Sequence, residues 1–103
     1  MDIHQLEQEM ILVLTAAMKL TASSKNHGWP DEDPLEAVDV LDRMIAHLQD
    51  RLSPPPPYAC IQFVPTGPLQ EIAMANGWHD EYMALADQFD DLERRLKRFR
   101  PAA

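Results

Sequence analysis

An all-α fold is predicted for this chain by three observations. Apolar residues recur three and four apart through three separate stretches, capping signals bracket those stretches, and the one segment that breaks the period is proline-rich with no second strand to pair with. The expected architecture is a small helical bundle of three long helices and one short helix, arranged as two helix hairpins with a Pro-rich extended crossover between them. At 103 residues the chain is expected to be a single domain spanning 1–103, long enough to bury a core without metal or disulfide staples. Hydrophobic residues at 46% and charged residues at 25% match globular usage, so a folded chain is expected.

The first helix is expected from Ile3 to about Ser23, because Ile3, Leu6, Met10, Val13/Leu14, Ala17 and Leu20 form one stripe. "NHGWP" should stop it, with Gly28 free to adopt a left-handed cap and Pro30 unable to continue a helix. "DPLE" restarts one: Asp33 can cap free amides, Pro34 suits the first helical position, and Glu36 stands where a capping-box carboxylate belongs. Leu35, Val38, Leu41, Ile45, Leu48 and Leu52 are the expected inner stripe of this second helix.

Residues 53–67, "SPPPPYACIQFVPTG", carry no charge and break the helical period. The prolines favour an extended segment, "YACIQFV" has strand-like composition without a partner strand, and pairing of two chains through it is a minor alternative. A short third helix is expected from Leu69 to Ala75, opened by Pro68 and closed at Asn76–Gly77. The fourth runs from His79 to Phe99 on the seam Tyr82, Leu85, Phe89, Leu92, Leu96 and Phe99, and its regularity marks it as the expected backbone of the fold.

Net charge is −8, split as −1 over residues 1–26, −5 over 27–53, zero over 54–67, −6 over 68–92 and +4 over 93–103. Such a surface repels nucleic acid and anionic membranes and attracts cationic partners. The basic end, "RRLKRFR", suits a helix C-terminus and can be self-neutralised by Asp90 with Arg94, Asp91 with Arg95 and Glu93 with Lys97. Cys60 is the single cysteine, no leader-like apolar run opens the chain, and the run Met10 to Leu14 is far short of the ~20 residues of a membrane span, so a cytoplasmic protein is expected.

Several chemistries fail on residue type or spacing. Ala73, Gly77 and Met83 fit a helix-turn-helix loosely, but the reading helix would carry Asp80, Glu81 and Asp87 before any basic residue. Glu36, Asp39 and Asp42 stand three apart, as do Asp87 and Asp90, which makes a metal-dependent all-α nucleotide hydrolase an alternative; the seams, however, turn these carboxylates outward. His4, His27, His47 and His79 lack zinc spacing, and "DEDPLE" lacks the glycine of a calcium loop. Cys60 reads as a small buried hydrophobe, and "PPPPY", which matches a motif read by aromatic grooves, as a stiff spacer. No cofactor, metal or catalytic residue is expected.

"GWPDE" at 28–32 and "GWHDE" at 77–81 repeat one corner chemistry, which is explained by shared capping, the tryptophan packing over the turn and the acids favouring the next helix's N-terminus; the alternative is two similar acidic, aromatic surfaces. The expected function is a non-enzymatic acidic binding protein, an immunity- or antitoxin-type inhibitor of a basic toxin or effector in the bacterial cytoplasm, as a monomer or homodimer. By size, charge and helical content the chain is similar to small, acidic, helical nuclease-immunity proteins as a class. Asp31, Glu32, Asp33, Asp80, Glu81, Asp87 and Asp90 are the expected charged contacts, with Trp29, Trp78 and Tyr82 as aromatic anchors, Tyr82 having a core role as its alternative. A DNA mimic occupying a nucleic-acid-binding groove is a second reading from the same acids.

Overall fold

Four helices form where the periodicity places them: α1 (Ile3–Ala22), α2 (Pro34–Gln49), α3 (Pro68–Asn76) and α4 (His79–Phe99). The computed structural model describes residues 3–26, 33–49 and 68–99. Trp29, Asp31 and Glu32, the crossover at 53–67 with Cys60 and "PPPPY", the expected stop at Gly28 and Pro30, and the tail at 101–103 lie outside the described residues. No strand occurs among the described residues, and none of their helices is long and apolar enough to cross a membrane.

Three of the described helix boundaries have a local chemical cause. The Ser23 and Ser24 hydroxyls both donate to the Leu20 carbonyl at 2.9 Å, satisfying the end of α1. Asp33 caps α2 as expected: its Oδ1 accepts the Leu35 amide at 2.9 Å while its carbonyl accepts the Ala37 amide at 3.2 Å. Between α3 and α4, Gly77 takes φ +82° and the Trp78 amide donates back to the Ala73 carbonyl at 2.9 Å, the Schellman pattern of a left-handed cap.

Packing departs from expectation in two respects. The central element is α1, which packs against each of the other three helices, whereas α2 and α4 meet mainly through it. The reason is the width of the apolar stripe. α1 buries Leu6, Met10, Val13 and Ala17 along one row and Glu7, Leu14 and Thr21 along the adjacent one, giving two neighbours a surface each. On α4 the rows either side of the seam are charged, so the seam buries Tyr82, Ala86, Phe89 and Leu92, and leaves Leu85 and Leu96 partly buried. Glu7 is an acid inside this stripe, 6% exposed, with His4 Nδ1 3.8 Å from its Oε1.

The second departure is on α2, where the inner row is Pro34, Ala37, Leu41, Met44 and Ile45. Leu35, expected inside, is 77% exposed, and Val38 is partly buried. Both rows keep three- and four-residue spacing and share Leu41 and Ile45. The compact Pro34 and Ala37 let the start of α2 approach its neighbour closely, which the bulk of Leu35 would prevent.

Candidate functional site

The candidate site is the acidic surface that starts at the α3–α4 corner and continues along the outer face of α4. Its position is set by a hydrogen-bonded seam between segments fifty residues apart. Asn76 Oδ1 accepts the backbone amides of Lys25 and Asn26 at 3.0 and 2.9 Å. Its Nδ2 donates to the carbonyls of Asn26 and Ile72 at 2.7 and 2.9 Å. The Asn26 Nδ2 donates to the Ala75 carbonyl at 3.3 Å, and the Trp78 Nε1 donates to Ser24 Oγ at 2.9 Å. The chain leaving α1 therefore departs from the same point as the turn into α4.

That seam corrects one expectation about the aromatic residues. Trp78 is only 6% exposed, and its indole is committed to Ser24, so it is a core residue of the corner and offers a partner little surface. Tyr82 is 2% exposed and likewise belongs to the core, with the His79 ring stacked at 6.1 Å. Burial first, and then the negative charge of Asp90, push its hydroxyl up to about 12. Neither is an exposed anchor, because the apolar ring area gains more from the interior than from a solvent-facing corner.

The carboxylates behave differently. Asp80, Glu81, Asp87 and Asp90 are exposed, and none of them takes part in an ion pair among the described residues. The expected Asp90–Arg94 pair is replaced: Arg94 reaches Asp91 at 3.4 Å and Arg95 reaches the same carboxylate at 3.1 Å. Asp91 thus takes two cations and Asp90 takes none. Asp87, Asp90, Glu93 and Arg94 line a shallow depression on this face. Asp33 is partly buried and its carboxylate serves the α2 cap, so its contribution to the outer field is shared with a structural role.

On α2, Asp39 holds Arg43 at 3.2 Å, and Glu36 and Asp42 are exposed. Since α2 and α4 meet mainly through α1, the acids of the two helices are not gathered into one cluster. Among the described residues no group of three His, Cys, Asp or Glu side chains is arranged to hold a metal ion. Asn76 and Ser24 are the residues that sequence reasoning missed. "NG" reads as a cap from either residue's neighbourhood, and nothing local signals that the asparagine side chain reaches another helix end. Comparison with family models, with curated proteins and with solved structures finds no match.

Proposed function

We propose that this chain is a non-enzymatic acidic binding protein that captures and neutralises a basic macromolecule. In its leading form it is an immunity- or antitoxin-type inhibitor of a cationic toxin or effector in the bacterial cytoplasm. The observation that carries this reading is that Asp80, Glu81, Asp87 and Asp90 are exposed on α4 and form no ion pair among the described residues. The positive end of the α4 dipole, equivalent to about +0.5 charge, offsets only part of the formal −2 of Asp80 and Glu81 in its first turn. A substantial negative field is left facing solvent, of the kind that steers association with a positive surface.

A protein partner is favoured over mimicry of a nucleic acid by the spacing of the charges. Asp80, Glu81, Asp87 and Asp90 are separated by irregular steps of about 1.5, 9 and 4.5 Å along the helix axis, whereas one DNA strand presents a phosphate at every ~3.4 Å of axis. The row is then interrupted by Arg94 and Arg98.

The test is capture of partners by the immobilised chain, followed by affinity measurement on the recovered protein at low and physiological salt. The expected partner is basic, and raising salt weakens the complex. Reversing Asp80 and Glu81 to lysine together should lower affinity about tenfold or more, mainly through the association rate. Recovery of only neutral or acidic proteins, or a complex indifferent to this reversal, sinks the reading. A toxin-like reading frame immediately upstream of the coding sequence would separate the immunity form from other acidic binders.

A further inference from the structure

Between α1 and α4 runs an open groove of about 410 Å³, lined on the α1 side by Glu9, Leu12, Val13 and Ala16. Leu85, Gln88, Asp91 and Leu92 line the α4 side. Leu12 is 68% exposed, although α1 is otherwise the most deeply packed helix. Five of the eight lining residues are apolar and Glu9, Gln88 and Asp91 are polar, so the exposed leucine stands on a mixed wall as a knob without a hole inside its own molecule.

The charges around this groove are arranged symmetrically. α1 and α4 run antiparallel, with Ser24 beside Trp78, so counting equally along both helices brings Leu14 level with Gln88. Glu9 and Lys19 stand five residues either side of Leu14, on the same stripe as Leu12 and Ala16. Glu81 and Arg95 stand seven residues either side of Gln88, on the same stripe as Leu85 and Leu92. In both helices, therefore, an acid and a base face each other across one common line. Glu9, Lys19 and Glu81 have no ion-pair partner among the described residues, while Arg95 also holds Asp91 of its own helix at 3.1 Å, an exposed pair that it can share with a facing acid.

We propose that two copies of this chain associate face to face through the α1–α4 groove, about a twofold axis crossing the helices at the level of Leu14 and Gln88. That operation sets Glu9 of one copy against Lys19 of the other, Glu81 against Arg95, and Leu12 against Ala16 and the groove floor. An isologous contact of this kind requires a surface complementary to itself, and the reversed charge order on both stripes supplies it. The area is adequate: two helices about 30 Å long, side by side, present roughly 600 Å² per copy, or roughly 1,200 Å² in total, at the lower end of stable interfaces. Asp80, Asp87 and Asp90 lie off these two stripes and stay open to a basic partner, whereas Glu81 is shared, so pairing and capture compete at that one residue.

Sedimentation equilibrium on the purified chain, with no partner added, tests the dimer. The wild type should populate a species of twice the 11.8 kDa monomer mass. Leu12→Arg should be monomeric with unchanged helical circular dichroism, since the side chain it replaces is exposed. Glu9→Lys should weaken the dimer about tenfold by opposing Lys19, and the exchange Glu9→Lys with Lys19→Glu should restore it. A wild type that remains monomeric at millimolar concentration overturns the proposal. So does a dimer that survives Leu12→Arg, or one that the charge exchange fails to restore.

Discussion

At the scale of single residues, Tyr82 shows how burial overrides the surface role that a polar aromatic at a corner suggests. Its ring joins the core while Asp90 stays outside, and both effects favour the neutral phenol. A hydroxyl whose folded pKa of about 12 exceeds its ordinary 10.0 contributes stability that is complete below pH 10 and is lost as pH rises toward 12, because the unfolded chain gives up that proton first. Urea unfolding at pH 9 and pH 11.5 should therefore show a loss on the order of 2 kcal/mol attributable to this group, and Tyr82→Phe should abolish that part of the loss. An equal alkaline loss in the phenylalanine variant would mean that other groups cause it. Trp78 illustrates the same rule: of its two readings, packing over the turn and a partner contact, the first holds, its ring being buried and its N–H satisfied by Ser24.

At the scale of elements, the helices follow from spacing and caps, but the choice of inner face on α2 follows from fit. Two adjacent rows were available, and the one with small residues at its start turned inward. Leu41→Ala should cost about 2–5 kcal/mol by emptying a site that is 0% exposed, whereas Leu35→Ala should change stability by no more than about 0.5 kcal/mol. Denaturant midpoints of the two variants check this, and a large loss from Leu35→Ala would restore the row expected from sequence. The central place of α1 has the same origin. A helix with two adjacent buried rows can serve several partners, whereas one regular seam, as on α4, mainly serves one side.

At the scale of the whole molecule, the ends of α1 and α3 are joined by a side chain rather than by a shared strand or a long hydrophobic contact. Asn76→Ala removes three hydrogen bonds to Lys25 and Asn26 at once. At ~0.5–1.5 kcal/mol net for each of the three bonds, the expected loss is about 1.5–4.5 kcal/mol in urea unfolding, with helix content of the native state unchanged. A loss below 0.5 kcal/mol, taken as a rough floor for a surface change, would mean that the seam is held by Trp78 packing alone. The acidic face begins at this seam, so the variant also tests whether the corner must be rigid for the proposed capture of a basic partner.

The all-helical class, the four helical segments and the outward direction of Asp80, Glu81, Asp87 and Asp90 were determined by the sequence alone. Caps and periodicity act within about four residues along the chain, which is the range over which backbone hydrogen bonds and helix faces are set. Tertiary structure decided that α1 is central, that Leu35 lies outside, that Trp78 packs inside rather than facing a partner, and that, among the described residues, both arginines go to Asp91 and none to Asp90. Those outcomes depend on which surfaces compete for the same neighbour, a competition between volumes and charges more than fifty residues apart that no local pattern encodes.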